Sequence, residues 1–307
     1  MNEKRDKKKS KFKTQNLDSQ IFDREVLRMR RDKTAPQFER HDFLLKEVTL
    51  RLLDNLDDIK RDFHKILNIG GHPKLMQKYF ANDFMVNQDL SIKRIEDHLS
   101  PRIQADEEFL PIKKNALDLV FCALNLHWIN DLPGALVQIF QSLKPDGLFM
   151  GATLGGETLY ELRTAMMKAD IELLGGIRPH ASPLMDVRDA GGLLQRAGFS
   201  LPVVSTERIT VTYSDAFGLM KELKGMGENN ALLKGYKGLT TARHMIKVAE
   251  IYATDFAGED GRIPATFDIL YFQGWVPHES QQKPLKPGSA KMSLKDALGK
   301  SPPKQDR

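Results

Sequence analysis

The chain has 307 residues, 41% hydrophobic and 28% charged, enough to bury the core of one large domain or of one and a half, and its single cysteine, Cys122, excludes an internal disulfide and points to a reducing compartment. The net charge of +5 resides at the ends: residues 1–13 and 281–307 each carry +5, which leaves −5 for residues 14–280. A mildly acidic globular part lacks the basic face that nucleic acid requires, so none is expected to bind the folded domain, and the basic ends, 1–20 and 281–307, read as disordered tails.

Order is expected from Ile21, where Ile21, Phe22, Val26 and Met29 fall at helical spacing until Pro36. A second helix is expected over His41–Leu56. His64–Ile69 reads as a short buried strand stopped by Gly70-Gly71, and Pro73 suits the first position of the helix that follows. A second strand, Phe84–Gln88, ends at Asp89, and Ser91 is placed to cap a helix over Ile92–Leu99. Arg102–Gln104 is a brief third strand ending at Ala105-Asp106. Leu117–Leu124 is apolar almost throughout, as strands buried on both faces are, and it contains Cys122 as a small hydrophobe. A helix over Leu132–Leu143, a turn at Lys144–Gly147 and a strand over Leu148–Leu154 complete the alternation.

Strand and helix alternating in this way predict an α/β fold, a Rossmann-like, mostly parallel sheet with helices on both faces. Downstream, helices are expected over Glu157–Leu174, Asp186–Ala197, Asp215–Lys224 and Thr240–Ala253, with strands over Pro202–Tyr213 and Ala265–Trp275. The domain is expected to span 21–280, with a cofactor half at about 60–155 and a substrate or cap half at about 156–280.

In open α/β sheets the ligand lies beyond the carboxyl ends of the strands. Three features converge there. Glycines at Gly70 and Gly71 let backbone amides approach a ligand, and the helix start behind them favours negative charge. Asp89 stands 19 residues after Gly70, near the usual place of a ribose-binding acid. Asp106 and Glu107 follow the third strand, placed to accept from an amine or amide. The combination points to a nucleoside cofactor.

The runs Ala105–Pro111, Leu117–Val120, Leu124–Trp128 and Leu143–Gly147 resemble successive motifs of the class I S-adenosylmethionine methyltransferases. The resemblance is to the branch that holds the biotin-pathway malonyl carrier-protein methyltransferase and the mitochondrial complex I assembly factor with a methyltransferase domain. Ile21–Arg24, Leu126–Pro133, Gly155–Arg163, Gly225–Glu228 and Pro264–Thr266 resemble the assembly-factor side of that branch, and the likeness extends from Ile21 to Leu298. It implies a seven-stranded sheet whose last strand is antiparallel. It also implies S-adenosylmethionine as cofactor, held by Gly70, Gly71, Asp89, Leu90, Asp106 and Glu107, with Asn125, His127 and Trp128 lining the methionine and substrate side. The implied partners are a respiratory-complex subunit, a small molecule or a carrier protein. The sequence departs from the family at the first turn, where Asn68 replaces an acid and His72 and Lys74 replace glycines, placed to project into methionine space.

Tyr160 and Arg163, three apart on one helix, are candidates for substrate contact or for a structural pairing. No catalytic residue is assigned. His180, His244 and His278 show no zinc-type spacing, so no metal is expected. The charged start has no apolar secretory core and no run approaches a membrane span, which makes cytosol the default and the mitochondrial matrix side the alternative. Three functions compete: an S-adenosylmethionine-dependent methyltransferase, a complex I assembly protein acting as a protein hydroxylase without methylating, and a scaffold that has lost its cofactor.

Overall fold

The centre of the sheet is set by an apolar run that has no polar face to turn outward. In the computed structural model, which describes residues 20–235 and 240–282, Leu117–Ala123 forms the central strand β4. The expected tails at 1–20 and 281–307 lie, but for Gln20, Gln281 and Gln282, outside the described residues. Everything below belongs to the unit that ends at Pro277. Around β4 run β1 (Lys65–Ile69), β2 (Phe84–Asp89), β3 (Arg102–Gln104), β5 (Leu143–Leu154), β6 (Ser200–Tyr213) and β7 (Ile263–Trp275), in the order β3-β2-β1-β4-β5-β7-β6. β1 to β5 are mutually parallel, and β7 runs antiparallel to both β5 and β6. The seven strands with an antiparallel last strand are as expected.

Strand order reverses between β1 and β4, so the crevice beyond Ile69 and Ala123 is the ligand position of such a sheet. Alternation along β4 sends Leu119, Phe121 and Ala123 to one face and Val120 and Cys122 to the other. The first face is covered by α2 (Phe43–Asp57), α3 (Pro73–Tyr79), α5 (Tyr160–Leu174), α7 (Ala216–Met226) and α8 (Ala242–Phe256). The second is covered by α4 (Leu132–Ser142) and α6 (Val187–Ala197), which ends where Gly198 takes φ +102°. Burial pushes the Cys122 thiol well above the usual range, with the Glu107 charge adding to it, as fits a packing residue.

The remaining helix, α1 (Arg24–Thr34), lies on neither face. Asp23 caps it by accepting from the Val26 amide at 3.0 Å. Phe22, expected inside the helix, instead precedes it and bridges to Leu232, while its amide and that of Ile21 donate to Asn130 Oδ1 at 2.8 Å each. Phe22, Leu27, Leu90, Trp128 and Ala231 form a third, small apolar cluster that fastens α1 over the carboxyl ends of the strands.

Three expectations change. The helix at Ile92–Leu99 is only a single 3-10 turn, Ile92–Arg94, because the Ser91 hydroxyl donates to Asp32 of α1 at 2.5 Å instead of capping. Lys144–Gly147 is absorbed into β5, whose Leu143 pairs with Leu117 across a register shift. α5 starts at Tyr160 because Thr158 is tied to β7: its hydroxyl donates to the Asp268 carbonyl at 3.0 Å and accepts from the Asp268 amide at 3.1 Å.

Phe149 is fully buried and stacks on Phe199 with centroids 5.6 Å apart. Phe149→Ala is expected to lower the unfolding free energy by about 3–5 kcal/mol through lost transfer energy and a residual cavity, measured by urea denaturation.

Candidate functional site

Gly70 ends β1 with φ +68°, and a Cβ there would lie 2.9 Å from Asn125 Nδ2 and 3.1 Å from the Ala123 carbonyl. The position therefore requires glycine for both its backbone and its space. A Cβ on Gly71 would fall on Asn68 Oδ1, so the two glycines press the turn against β1 and β4. Asn68 fastens the turn: its Nδ2 donates to the Gly71 carbonyl at 3.2 Å and to Asn87 Oδ1 at 2.8 Å.

His72 and Lys74 do not project where methionine would lie. His72 is the N-cap of α3, its Nδ1 accepting from the Leu75 amide at 3.4 Å and its Nε2 meeting Asp42 at 3.0 Å. Lys74 is exposed and pairs with Glu39. Capping turns the His72 ring back over the helix start, and the pairing with Glu39 draws Lys74 out to the surface; neither lines the cavity at the turn.

The acids expected to face a nucleoside are drawn together, and they hold arginines. Arg31 of α1 is buried, with Nη1 3.3 Å from Asp89 Oδ1 and 3.6 Å from Glu107 Oε1, and it donates to Asn125 Oδ1. Asn125 in turn donates to Glu107 Oε1 at 2.7 Å. Arg24 pairs with Asp106 at 2.8 Å and with Glu107, and it donates to the Trp128 carbonyl at 3.0 Å. Burial works to lower the pKa of each guanidinium, but the surrounding carboxylates outweigh it and hold both above the usual arginine range. Arg94 sits over the Phe38 ring at 3.4 Å and donates to the Met226 carbonyl at 2.7 Å; without a carboxylate in contact, burial draws it down to about 10.

The side of the crevice that holds His127 and Trp128 is closed by Glu228. Its Oε2 lies 3.0 Å from His127 Nε2 and accepts from Trp128 Nε1 at 2.9 Å, while Trp128 packs edge-on against Phe22. Burial raises the Glu228 carboxyl, but His127, Arg31 and Trp128 overcome it and hold the group below its usual range, ionised. Leu90 lies in the α1 cluster, facing Phe22 and Leu27 rather than open space.

Two cavities adjoin this constellation. The one among Arg31, Gly70, Asp89, Asn125, His127 and Glu228 measures about 60 Å³. Ligand pockets run to roughly 300–1,000 Å³. The backbone cradle thus fits a nucleoside cofactor, but with α1 in this position the volume does not, and the acids are already paired. The second cavity, about 510 Å³, is lined by His127, Leu154, Leu162, Met166, His180 and Glu228, among others. Arg163 is on its wall, held by a 2.5 Å bond to the Gly156 carbonyl. Tyr160 is exposed, packs on Phe256 and lines a smaller outer pocket.

Arg24, Arg31, Arg94 and Glu228 escaped the sequence reading. The arginines of α1 carried a signal, since Arg24, Leu27 and Arg31 share one stripe at helical spacing and a guanidinium on an apolar stripe needs a buried anion. Glu228 lies about 100 residues from His127 and Trp128; the resemblance at Gly225–Glu228 covers it, but no local pattern assigns it to the site.

A glycine-turned parallel sheet with acids at the ends of β2 and β3 defines a Rossmann-like methyltransferase-class domain, and residues 67–151 match the methyltransferase domain family. A Bacillus halodurans protein assigned to the methyltransferases shares the fold, with a TM-score of 0.50 at 14% identity over 74% of this chain and 99% of its own. The mitochondrial arginine-hydroxylase NDUFAF5 of Danio rerio is 42% identical over 90% of this chain and 89% of its own length. The malonyl-[acyl-carrier protein] O-methyltransferase of Gallionella capsiferriformans is 31% identical over 84% of this chain and 92% of its own. The chain belongs to the family that contains NDUFAF5 and these carrier-protein methyltransferases. The cytosolic default gains no support from the NDUFAF5 relatives, which are mitochondrial by name; no helix among the described residues is long and apolar enough to cross a membrane.

Arg31→Ala leaves Asp89 buried without its cation and Glu107 with Arg24 alone, and it is expected to cost about 3–5 kcal/mol of stability in urea denaturation. The same change on an Asp89→Asn background is expected to cost less, because one of the charges it compensates is gone. Glu228 has a lowered pKa in the folded state. Its contribution is therefore complete above the unfolded carboxylate value of about 4.3 and lost as pH falls through the folded value. The stability gap between the wild type and Glu228→Gln is expected to narrow below about pH 4, measured by denaturation across pH.

Proposed function

We propose that this chain modifies an arginine side chain of a respiratory-complex subunit, as an assembly enzyme of the NDUFAF5 type. Glu228 carries the reading. It is an ionised carboxylate on the wall of the cavity of about 510 Å³, whose other walls include Leu154, Leu162 and Met166. An arginine offers the complement: an apolar stem for those walls and a planar cation for the carboxylate. The 42% identity to an arginine-hydroxylase over nearly the whole chain, against 31% to a carrier-protein methyltransferase, supports the same substrate class. With such a partner the chain works on the mitochondrial matrix side or in the corresponding bacterial cytosol.

Methyl transfer is the second reading, favoured by the order of Gly70, Asp89, Asp106 and Asn125 around the crevice. When bound there, S-adenosylmethionine supplies an electrophilic methyl group. Its entry needs α1 to lift, because Arg24 and Arg31 occupy the acids that would receive its ribose and adenine.

Hydroxylation of an arginine carbon consumes dioxygen and two electrons from a reductant, whereas methylation consumes the sulfonium. The purified chain is therefore incubated with arginine peptides of a complex I core subunit, once in air with a reductant and once with S-adenosylmethionine. Mass gain of one oxygen on arginine, lost in Glu228→Gln, is expected; a methyl gain selects the second reading, and no gain in either arm rejects both. For the cofactor site, Arg24→Ala is expected to bind S-adenosylhomocysteine at least about tenfold tighter than the wild type by calorimetry, about 1.4 kcal/mol. A further Asp89→Ala is expected to abolish that binding.

A further inference from the structure

Away from the acids beneath α1, three side chains from separate segments meet behind the wall of the larger cavity, which only His180 of the three lines. Asp170 lies in α5, His180 in the loop that follows it, and His244 in the first turns of α8. Both imidazoles address one carboxylate through the same ring atom: His244 Nε2 is 2.7 Å from Asp170 Oδ1, and His180 Nε2 is 2.8 Å from Oδ2. The Arg178 amide donates to Oδ2 at 2.8 Å and fixes the orientation of the carboxylate. One ligand atom from each of the three residues lies within 4.8 Å of the others. Asp170 is fully buried and His244 nearly so, while the His180 side chain keeps 18% of its surface and lines the cavity of about 510 Å³.

The cluster brings two imidazole nitrogens and one carboxylate to a single place: both rings converge on Asp170, tilted 33° to each other with centroids 5.7 Å apart, and one of them, His180, opens to the cavity. His244 Nδ1 is buried with no hydrogen-bond partner, so its contact with Asp170 at Nε2 is the polar bond that holds the ring. A first-row divalent ion bound at about 2.0–2.2 Å by adjacent ligands sets the donor atoms roughly 3 Å apart. The observed 2.7 and 2.8 Å separations lie a few tenths of an ångström below that value, and the three ligand atoms all lie within 4.8 Å of one another.

We propose that Asp170, His180 and His244 form a binding site for a first-row divalent transition metal, with its open coordination positions turned to the cavity through His180. Two imidazoles and one carboxylate suit Fe(II), Co(II) and Zn(II), and with open positions they form the ligand set of non-haem iron oxygenases. That set stands on the same cavity that would receive the arginine. A role of the metal in arginine oxidation rests on the function proposed above; the binding itself does not. His180 and His244 are 64 residues apart, which is why spacing along the chain carried no sign of the site.

The test uses the full chain, stripped with a chelator and titrated with Co(II) under calorimetry and visible absorption. One equivalent bound at micromolar affinity or tighter, with the absorption bands of a nitrogen- and oxygen-ligated ion, is expected. His180→Asn is expected to weaken binding at least tenfold, and His64→Asn, at an exposed histidine elsewhere, to leave it unchanged. Asp170→Asn removes a fully buried anion and is read only where its circular dichroism matches the wild type. His180, being part-exposed, keeps the test decisive where that variant fails to fold. No Co(II) uptake by the wild type, or equal uptake by His180→Asn, overturns the site. Fe(II) bound in place of Co(II) without any oxidised arginine product, in air with a reductant, leaves the site standing and rejects the hydroxylase reading instead.

Discussion

The structure of the crevice depends on one buried cation. Arg31 is shared among Asp89, Glu107 and Asn125, and without it Asp89 would be sealed from water with no counter-charge and Glu107 left to Arg24 alone. Desolvating such groups costs several kcal/mol each, which their mutual attraction offsets only when the geometry is satisfied on every side. Here Arg24 completes the set by taking Asp106 and the other oxygen of Glu107. The small cluster of Phe22, Leu27, Leu90 and Trp128 then supplies the apolar grip that holds α1 in place. Charge compensation and apolar anchoring are thus coupled: lifting the helix exposes the cluster and uncovers the acids in one motion.

This coupling gives the crevice two electrostatic states. With α1 seated, it is neutralised by the chain's own guanidinium groups and leaves about 60 Å³. With α1 displaced, the same acids would be free to accept donors from a ribose or an adenine. A cofactor's apparent affinity is then lowered by the free energy needed to break the arginine pairs. The family's glycine pattern is altered at His72 and Lys74, yet neither residue obstructs the crevice. What fills the crevice instead is a helix that lies outside the motif region, with Arg31 on the wall of the small cavity.

The framework was legible in the sequence because it rests on local signals. The uninterrupted apolar run of β4, the stop at Gly70-Gly71 and the αL cap at Gly198 each act over a few residues and were placed within a residue or two. Ser91 was misread because its cap competed with a tertiary partner, Asp32, that no local pattern reveals. The candidate site divides the same way. Gly70, Asp89, Asp106, Glu107 and Asn125 do converge, since strand-end positions follow from topology. Their partners do not follow from it: Arg31 meets Asp89 across 58 positions and Asn125 across 94. His127 and Trp128 both line the larger cavity, as a substrate side would require, but both are also committed to Glu228, a partner about 100 positions away, and of the two His127 alone borders the small cavity at the turn.

Cys122 lies in the middle of β4, fully buried, with a thiol that burial holds in its protonated form. As the chain's single sulfhydryl, it makes the native protein silent toward alkylating reagents. Labelling of this thiol can therefore proceed only through molecules whose central strand has come apart. The protein carries an intrinsic clock for the opening of its sheet, readable by mass without any engineered probe, and insensitive to the lesser movement of a helix at the crevice.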